Sequence, residues 1–183
     1  MQAIVLLVLG QKRAALERFD AMLALQPMSR YAMGSRAHLM GELGDKQGAI
    51  AALRELTAAH PGYSAPWFNL GYRLDETGHY EQAEAAFRRA IAVEPAMDRA
   101  WYGLALVLIR ARRFDEAVQA LKTNTALQPM SPFGWYQLAR VHVDQQQPEE
   151  AAKIIRHLHG FEPKVAAQLQ RETGLRIGQT QQS

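Results

Sequence analysis

The sequence has 183 residues, of which 48% are hydrophobic and 21% are charged, and it contains no cysteine. This composition predicts a soluble globular protein, and the lack of cysteine excludes a disulfide framework, a thiol nucleophile and cysteine-based zinc sites. The 21 basic residues exceed the 18 acidic ones by three charges, which is too small an excess to indicate a nucleic-acid or acidic-membrane partner.

The first predicted element is an apolar run from Ile4 to Leu9. No basic residue precedes this run, so it does not have the pattern of a secretory signal peptide. The run is also far shorter than the roughly 20 residues that a membrane-spanning helix needs. The sequence therefore favours a cytoplasmic protein without membrane insertion, whereas a periplasmic location would need an upstream signal that had been removed.

Five prolines recur at a spacing of 34 residues, with no insertion or deletion between them. They are Pro27, Pro61, Pro95, Pro129 and Pro163. The stretch Ala-Leu-Gln-Pro-Met-Ser also occurs twice, at residues 24–29 and 126–131, which are three periods apart. A fixed period of this length predicts a repeat architecture.

The period divides the chain into consecutive segments. Residues 1–29 form a truncated first repeat, and the full repeats are 30–63, 64–97, 98–131 and 132–165. An apolar pair at Val165 and Leu169 predicts a capping helix over residues 166–174. The glutamine-rich residues 175–183 predict a disordered tail.

Each full repeat contains two helical patterns, as residues 64–97 illustrate. Trp67, Leu70 and Leu74 fall on one helix face, and Gly78 ends that helix. A second apolar stripe follows, formed by Tyr80, Ala83, Phe87, Ala90 and Ile91. One such pair cannot bury its own apolar faces, whereas stacked pairs can. The pattern therefore predicts an all-α solenoid of stacked antiparallel helix pairs.

The segment Trp67-Phe68-Asn69-Leu70-Gly71-Tyr72, followed by Ala83, Phe87, Ala90 and Pro95, resembles the signature of the tetratricopeptide repeat family. The resemblance implies a right-handed superhelix in which the first helix of each repeat lines a concave groove. The carboxylate clamp that some family members use for chaperone termini is incomplete here, because three of its five residues are missing.

Carried onto this register, the resemblance implies an aromatic row at the fifth position of three consecutive repeats, formed by Phe68, Tyr102 and Tyr136. Aromatic anchors often dominate binding energy, so we predict that the row grips a peptide. The alternative is that these aromatics pack on adjacent helices and bind nothing. The complete set of candidate groove residues is Phe68, Asn69, Tyr72, Arg99, Tyr102, Phe133, Tyr136, Gln137 and Arg140.

The sequence contains no phosphate-binding loop, nucleophile elbow or zinc-protease motif. We therefore predict no catalytic residue, no cofactor, no metal and no small-molecule substrate. His38 and Glu42 are interpreted as a solvated or groove-facing pair. The basic cluster from Arg110 to Arg113 is interpreted as a solvated loop, which argues against a nucleic-acid partner while leaving one open as the weakest alternative.

The N-terminal apolar run is hydrophobic all the way round, and such a helix needs cover on every side. In the repeat register Ile4, Leu7 and Val8 would face the groove. A missing upstream repeat, a tail or a second copy of the chain could cover them. We hypothesise self-association through this end, making the protein a homo-oligomer, or a chain that is part of a longer protein.

The sequence thus predicts a non-enzymatic scaffold or adaptor that binds a peptide or partner-protein segment in a concave groove for complex assembly. Two alternatives remain open at this point. The chain could be the docking or regulatory portion of a larger enzyme, or it could belong to a secretion or envelope assembly whose other domains are absent.

Overall fold

The computed structural model describes residues 2–175, except for the side chains of Gln2 and Ile4. These residues form helices joined by short turns, without strands. The helices are α1 (Gln2–Val8), α2 (Lys12–Leu25), α3 (Arg30–Glu42), α4 (Lys46–Ala59), α5 (Ser64–Glu76), α6 (Tyr80–Val93), α7 (Asp98–Arg110), α8 (Phe114–Leu127), α9 (Pro132–Asp144), α10 (Pro148–His159) and α11 (Pro163–Thr173). Within residues 2–175, no helix has the length and apolar character needed to cross a membrane.

The chain divides into two compact units. Unit 1 spans Met1–Pro95 and contains α1 to α6, and unit 2 spans Ala96–Ser183 and contains α7 to α11. Within each unit, consecutive helices form antiparallel pairs, and each pair packs on the next. The all-α solenoid predicted from the 34-residue period is therefore confirmed within each unit. Residues 176–183 of the predicted disordered tail lie outside the described residues.

Unit 1 is held together by an alternation of small and large side chains across its helix pairs. Gly71 on α5 faces the ring of Phe87 on α6, and a Cβ added at Gly71 would lie 2.8 Å from the Cδ1 of Phe87. Ala83, on the same face of α6, is completely buried. The two helices can approach this closely only because both positions carry small residues.

Four of the five in-phase prolines lie in the turns between repeats, where the regular spacing has a structural reason. The indole N–H of Trp67 donates to the main-chain oxygen of Pro61 at 3.0 Å, and Trp135 makes the same bond to Pro129 at 2.8 Å. Each tryptophan thus ties the first helix of a repeat to the turn that precedes it. Each indole also satisfies a main-chain carbonyl of the turn, which has no helical partner there.

The turns inside the helix pairs need a left-handed residue. Gly44 and Gly78 occupy this position with φ of 86° and 81°, but in unit 2 the same register position carries Arg112 and Gln146, at φ of 57° and 60°. A side chain in this conformation costs about 1 kcal/mol or more relative to glycine. The two turns of unit 2 are therefore strained where those of unit 1 are relaxed.

Unit 2 ends in α11, which begins at Pro163 rather than at the predicted residue 166. Proline at the first helical position is already set to the helical φ, so the fifth in-phase proline starts a helix instead of occupying a turn. Gly174 ends α11 in the left-handed conformation, with φ of 71°. The helix packs on both α9 and α10.

Candidate functional site

A cavity of about 500 Å³ lies among α3, α4 and α5 of unit 1; it is called the unit 1 cavity below. Its apolar wall includes Leu53, Leu56 and Phe68, and its polar rim includes Asn69 and Arg73. The remaining lining residues are Gly34, Ala37, His38, Tyr63, Ala65, Pro66 and Tyr72. An apolar pocket with a few convergent polar groups is the usual form of a binding site.

Three of the predicted groove residues are brought together in this cavity. Phe68 is half-buried, and its ring centroid lies 6.0 Å from that of Phe87, so Phe68 both lines the cavity and packs on α6. Asn69 and Tyr72 are exposed at the rim. The alternative that the aromatic packs on a neighbouring helix therefore applies in part to Phe68.

Arg73 borders the cavity although it was not among the predicted groove residues. Its guanidinium lies 5.5 Å from the ring centroid of Tyr72 and pairs with Glu76 at 2.9 Å. The side chain crosses α3 at Gly41, where an added Cβ would lie 2.7 Å from Nη2 of Arg73. Gly41 therefore provides the space through which the arginine reaches the rim.

Two glutamates near the cavity are each shared between two basic groups. Glu42 pairs with Lys12 at 3.0 Å and with His38 at 3.5 Å. Hydrogen bonding and charge attraction from Lys12 hold the pKa of Glu42 below its ordinary value. The side chains of the predicted His38–Glu42 pair thus lie in contact. The described part of the chain holds no cluster of three or more metal-ligating side chains.

Glu76 repeats this arrangement one period later. It pairs with Lys46 at 2.9 Å and with Arg73 at 2.9 Å. The hydrogen bond from Lys46, followed by that from Arg73, holds the pKa of Glu76 below its ordinary value. Lys46 stands 34 residues after Lys12, as Glu76 does after Glu42, so the ion pairs follow the sequence period.

In unit 2, two predicted groove residues interact with a carboxylate of the same chain. The hydroxyl of Tyr136 donates to Glu172 of α11 at 2.5 Å, and Nη1 of Arg140 donates to the Tyr136 hydroxyl at 3.4 Å. The hydrogen bond from Tyr136 is the main cause that lowers the pKa of Glu172, and the bond to Tyr136 is the main cause that raises the pKa of Arg140. A cavity of about 460 Å³ lies beside this contact, lined by Arg140, Val143, Asp144, Glu172 and Thr173.

The other predicted groove residues of unit 2 differ in how exposed their side chains are. Phe133 is 68% exposed, Arg99 is exposed, and Tyr102 and Gln137 are half-buried. Of the predicted aromatic row, Phe68 belongs to unit 1, whereas Tyr102 and Tyr136 belong to unit 2.

The predicted self-association residues differ in their surroundings. Leu7 is half-buried against the small core around Phe19 and Leu39, since α1 packs on α2. Val8 is 81% exposed, and Val5 and Leu9 are exposed as well. The side chain of Ile4 lies outside the described residues.

Stacked helix pairs, with a lined cavity in each unit, define a helical-repeat protein that offers binding surfaces. The chain belongs to the tetratricopeptide repeat family, because the family model for the tetratricopeptide repeat matches residues 1–64 and 68–132. This confirms the family predicted from the signature, whose repeats serve as protein-interaction scaffolds. No curated protein sequence matches the chain significantly.

Solved structures share the fold at low sequence identity. A crystal structure of MamA superimposes with a TM-score of 0.82 at 18% identity, covering 97% of this chain and 94% of that one. MamA of Desulfovibrio magneticus RS-1 gives 0.77 at 19% identity, covering 93% and 92%. YrrB, described as a TPR protein with an unusual peptide-binding site, gives 0.79 at 16% identity, covering 92% and 88%.

Proposed function

We propose that the protein is a non-enzymatic scaffold that holds a peptide segment of a partner protein on the first helices of its repeats. The observation that carries the proposal is the unit 1 cavity, in which an apolar wall at Leu53, Leu56 and Phe68 stands below a polar rim. A peptide needs both parts, because side chains bury apolar surface while the peptide backbone keeps its hydrogen-bonding groups satisfied.

The test uses a random peptide library displayed on phage and panned against the purified chain. Selected peptides should bind wild type and lose most of their affinity for Tyr72→Ala, which removes an exposed ring from the cavity rim. Tyr80→Ala is the matched control, because Tyr80 is an exposed tyrosine of α6 outside the cavity lining. Peptides that bind Tyr72→Ala as well as they bind wild type would contradict the proposal.

In unit 2 we propose that Tyr102 and Tyr136 contribute to the same function. Their half-buried rings leave part of each face open to a ligand even though the Tyr136 hydroxyl is bonded to Glu172. The double variant Tyr102→Ala with Tyr136→Ala should weaken partner binding with a modest loss of stability. An unchanged set of captured partners would remove the aromatic row from the proposal.

Self-association through α1 is a second proposal, supported by the exposed apolar side chains of Val5, Val8 and Leu9. A cluster of exposed apolar residues at one end of a repeat array favours an interface. Static light scattering should show oligomers whose fraction rises with concentration and falls in the variant Val8→Ser with Leu9→Ser. A strictly monomeric wild-type chain at high concentration would overturn this proposal.

A further inference from the structure

Arg73 occupies a position that the other full repeats fill with buried apolar residues. The equivalent residues are Leu39, Val107 and Val141, each almost fully buried. The arginine side chain is 23% exposed in the same place. Burying most of a charged side chain carries a desolvation cost, and such departures from a local rule are expected mainly at functional or strained sites.

The neighbouring helix is adapted to this arginine. A Cβ at Gly41 would lie within 3.2 Å of three guanidinium atoms of Arg73, so a side chain at residue 41 would displace the guanidinium from this position. Glycine is among the least favourable residues inside a helix. The two departures from the repeat pattern therefore depend on each other and together place a guanidinium at the cavity rim.

The positive charge of Arg73 is only partly compensated. A second arginine, Arg36, also replaces an apolar repeat residue, but it has two acidic partners, Asp20 at 3.3 Å and Glu55 at 3.1 Å. Arg73, by contrast, shares the carboxylate of Glu76 with Lys46, and it also attracts Glu42, which is itself paired with Lys12. Three cations, Lys12, Lys46 and Arg73, face the two anions Glu42 and Glu76, so this group carries about one excess positive charge.

The residues that line the unit 1 cavity are consistent with this excess of positive charge. Among the described residues that line it, none is acidic, and the polar ones are hydrogen-bond donors: His38, Tyr63, Asn69, Tyr72 and Arg73. A cavity with donors, a net positive rim and an apolar wall favours a ligand that carries a carboxylate next to an apolar group.

Unit 2 contains an internal example of this recognition. Tyr136 and Arg140, at the fifth and ninth positions of their repeat, hold the carboxylate of Glu172 through a phenol hydroxyl supported by a guanidinium. Tyr72 is the ninth-position residue of its own repeat, and Arg73 follows it. A phenol and a guanidinium in this part of a first helix can thus hold a carboxylate within this chain.

From these observations we infer that the unit 1 cavity takes an acidic peptide segment in which a glutamate or aspartate stands next to a leucine-like side chain. The apolar side chain packs against Leu53, Leu56 and Phe68, and the acidic side chain accepts hydrogen bonds from Arg73 and Tyr72. The inference rests on the proposed peptide-binding function and specifies the chemistry of the peptide.

The experiment compares two short peptides, each acetylated and amidated, that differ only in a central glutamate or glutamine between two leucines. Binding is followed by NMR chemical shifts of the α3 and α5 amides at low salt. The glutamate peptide should bind about tenfold more tightly, as expected for one charge-assisted hydrogen bond. The difference should shrink in high salt, because a partly exposed charge pair is screened.

Variants at Arg73 test whether its guanidinium causes the preference for the glutamate peptide. Arg73→Leu places there the residue type found at Leu39, which keeps the fold, and it should abolish the preference for glutamate. Arg73→Lys retains the charge and should keep part of the preference. Arg88→Gln, which removes an exposed arginine of α6 paired with Glu84, is the matched control and should change nothing.

The outcomes separate the inference from the proposed function. If library-selected peptides depend on Tyr72 but show no enrichment in acidic residues, the peptide-binding function stands and the acidic preference is wrong. Equal binding of the glutamate and glutamine peptides, or a glutamate preference that survives in Arg73→Leu, would also overturn the inference. If neither the library nor the two peptides bind, both proposals fail.

Discussion

Gly134 and Asn124 form a pair whose coupling can be measured. Asn124 is a buried polar residue of α8, only 6% exposed, and its Nδ2 donates to the main-chain oxygen of Asp98 at 2.9 Å. A Cβ added at Gly134 of α9 would lie 2.1 Å from the Oδ1 of Asn124. Since the amide is held by its hydrogen bond, the substitution Gly134→Ala must displace it.

The expected energies follow from these contacts. Displacing a buried, hydrogen-bonded amide costs about 1–3 kcal/mol, and alanine returns about 1 kcal/mol of helix propensity. Gly134→Ala should therefore destabilise unit 2 by about 1 kcal/mol net. Asn124→Ala should cost about 1 kcal/mol, because the Asp98 carbonyl loses this bond.

The double variant should be close to wild type in stability. With Asn124 shortened to alanine, the new Cβ at residue 134 no longer meets the amide, and the gain in helix propensity remains. The double-mutant cycle should therefore give a favourable coupling of about 2 kcal/mol, within the range seen for residues in contact.

The assay is thermal and urea unfolding followed by far-UV circular dichroism, with hydrogen exchange of the α8 and α9 amides to localise the effect. A change of about 1 kcal/mol corresponds to a shift in Tm of about 2–4 °C for a chain of this size. Thr125→Ser provides a control, since the Cγ2 of Thr125 would lie 3.0 Å from the same added Cβ. Additive single effects, or a Gly134→Ala variant more stable than wild type, would refute the reasoning.

Three further predictions concern the helix pairs. Ala83→Glu should lower Tm by more than 10 °C, roughly what several kcal/mol would cause, because a charge would be forced into a completely buried contact; an unchanged Tm in a thermal melt would show that the repeat register is wrong. Arg112→Gly and Gln146→Gly should each raise stability by about 0.5–1 kcal/mol in urea titrations, since both residues adopt a left-handed conformation. Because the folded pKa values of Glu42 and Glu76 are lowered, their stabilising effect is present above the ordinary pKa of 4.5 and is lost as pH falls below it. Replacing Lys12 and Lys46, the first residues of α2 and α4, by methionine should flatten the pH dependence of Tm in this range, and an unchanged fall of Tm at acid pH would contradict it.

The sequence was sufficient to predict the fold because the repeat signal lies in single residues. Pro27 to Pro163 mark the period, and the alternation of Gly71 with Phe87 marks the close packing of the helices. The start of α11 was predicted three residues too late, because the register alone places it at residue 166. The helix begins at Pro163 instead, because proline favours the first helical position.

The candidate site was predictable only in part. Phe68, Asn69 and Tyr72, which line the unit 1 cavity, were predicted from family positions, whereas Arg73 was not, because the tenth position is not a groove position in that register. A comparison across repeats contained the signal, since Arg73 stands where Leu39, Val107 and Val141 stand. The Tyr136–Glu172 contact could not be predicted, because it joins residues 36 positions apart through a helix outside the repeats.

The lysine–glutamate pairs also bear on how such an array can change its length. Lys12 pairs with Glu42 and Lys46 pairs with Glu76, so each ion pair joins the start of the second helix of one repeat to the end of the first helix of the next. Deleting residues 30–63 would bring Lys12 into register with Glu76 and recreate the same pair. The array can therefore lose or duplicate one repeat and keep the lysine–glutamate ion pair between neighbouring repeats. The same deletion would remove Gly41, against which the guanidinium of Arg73 lies, so it would preserve the ion pair while altering the surroundings of Arg73.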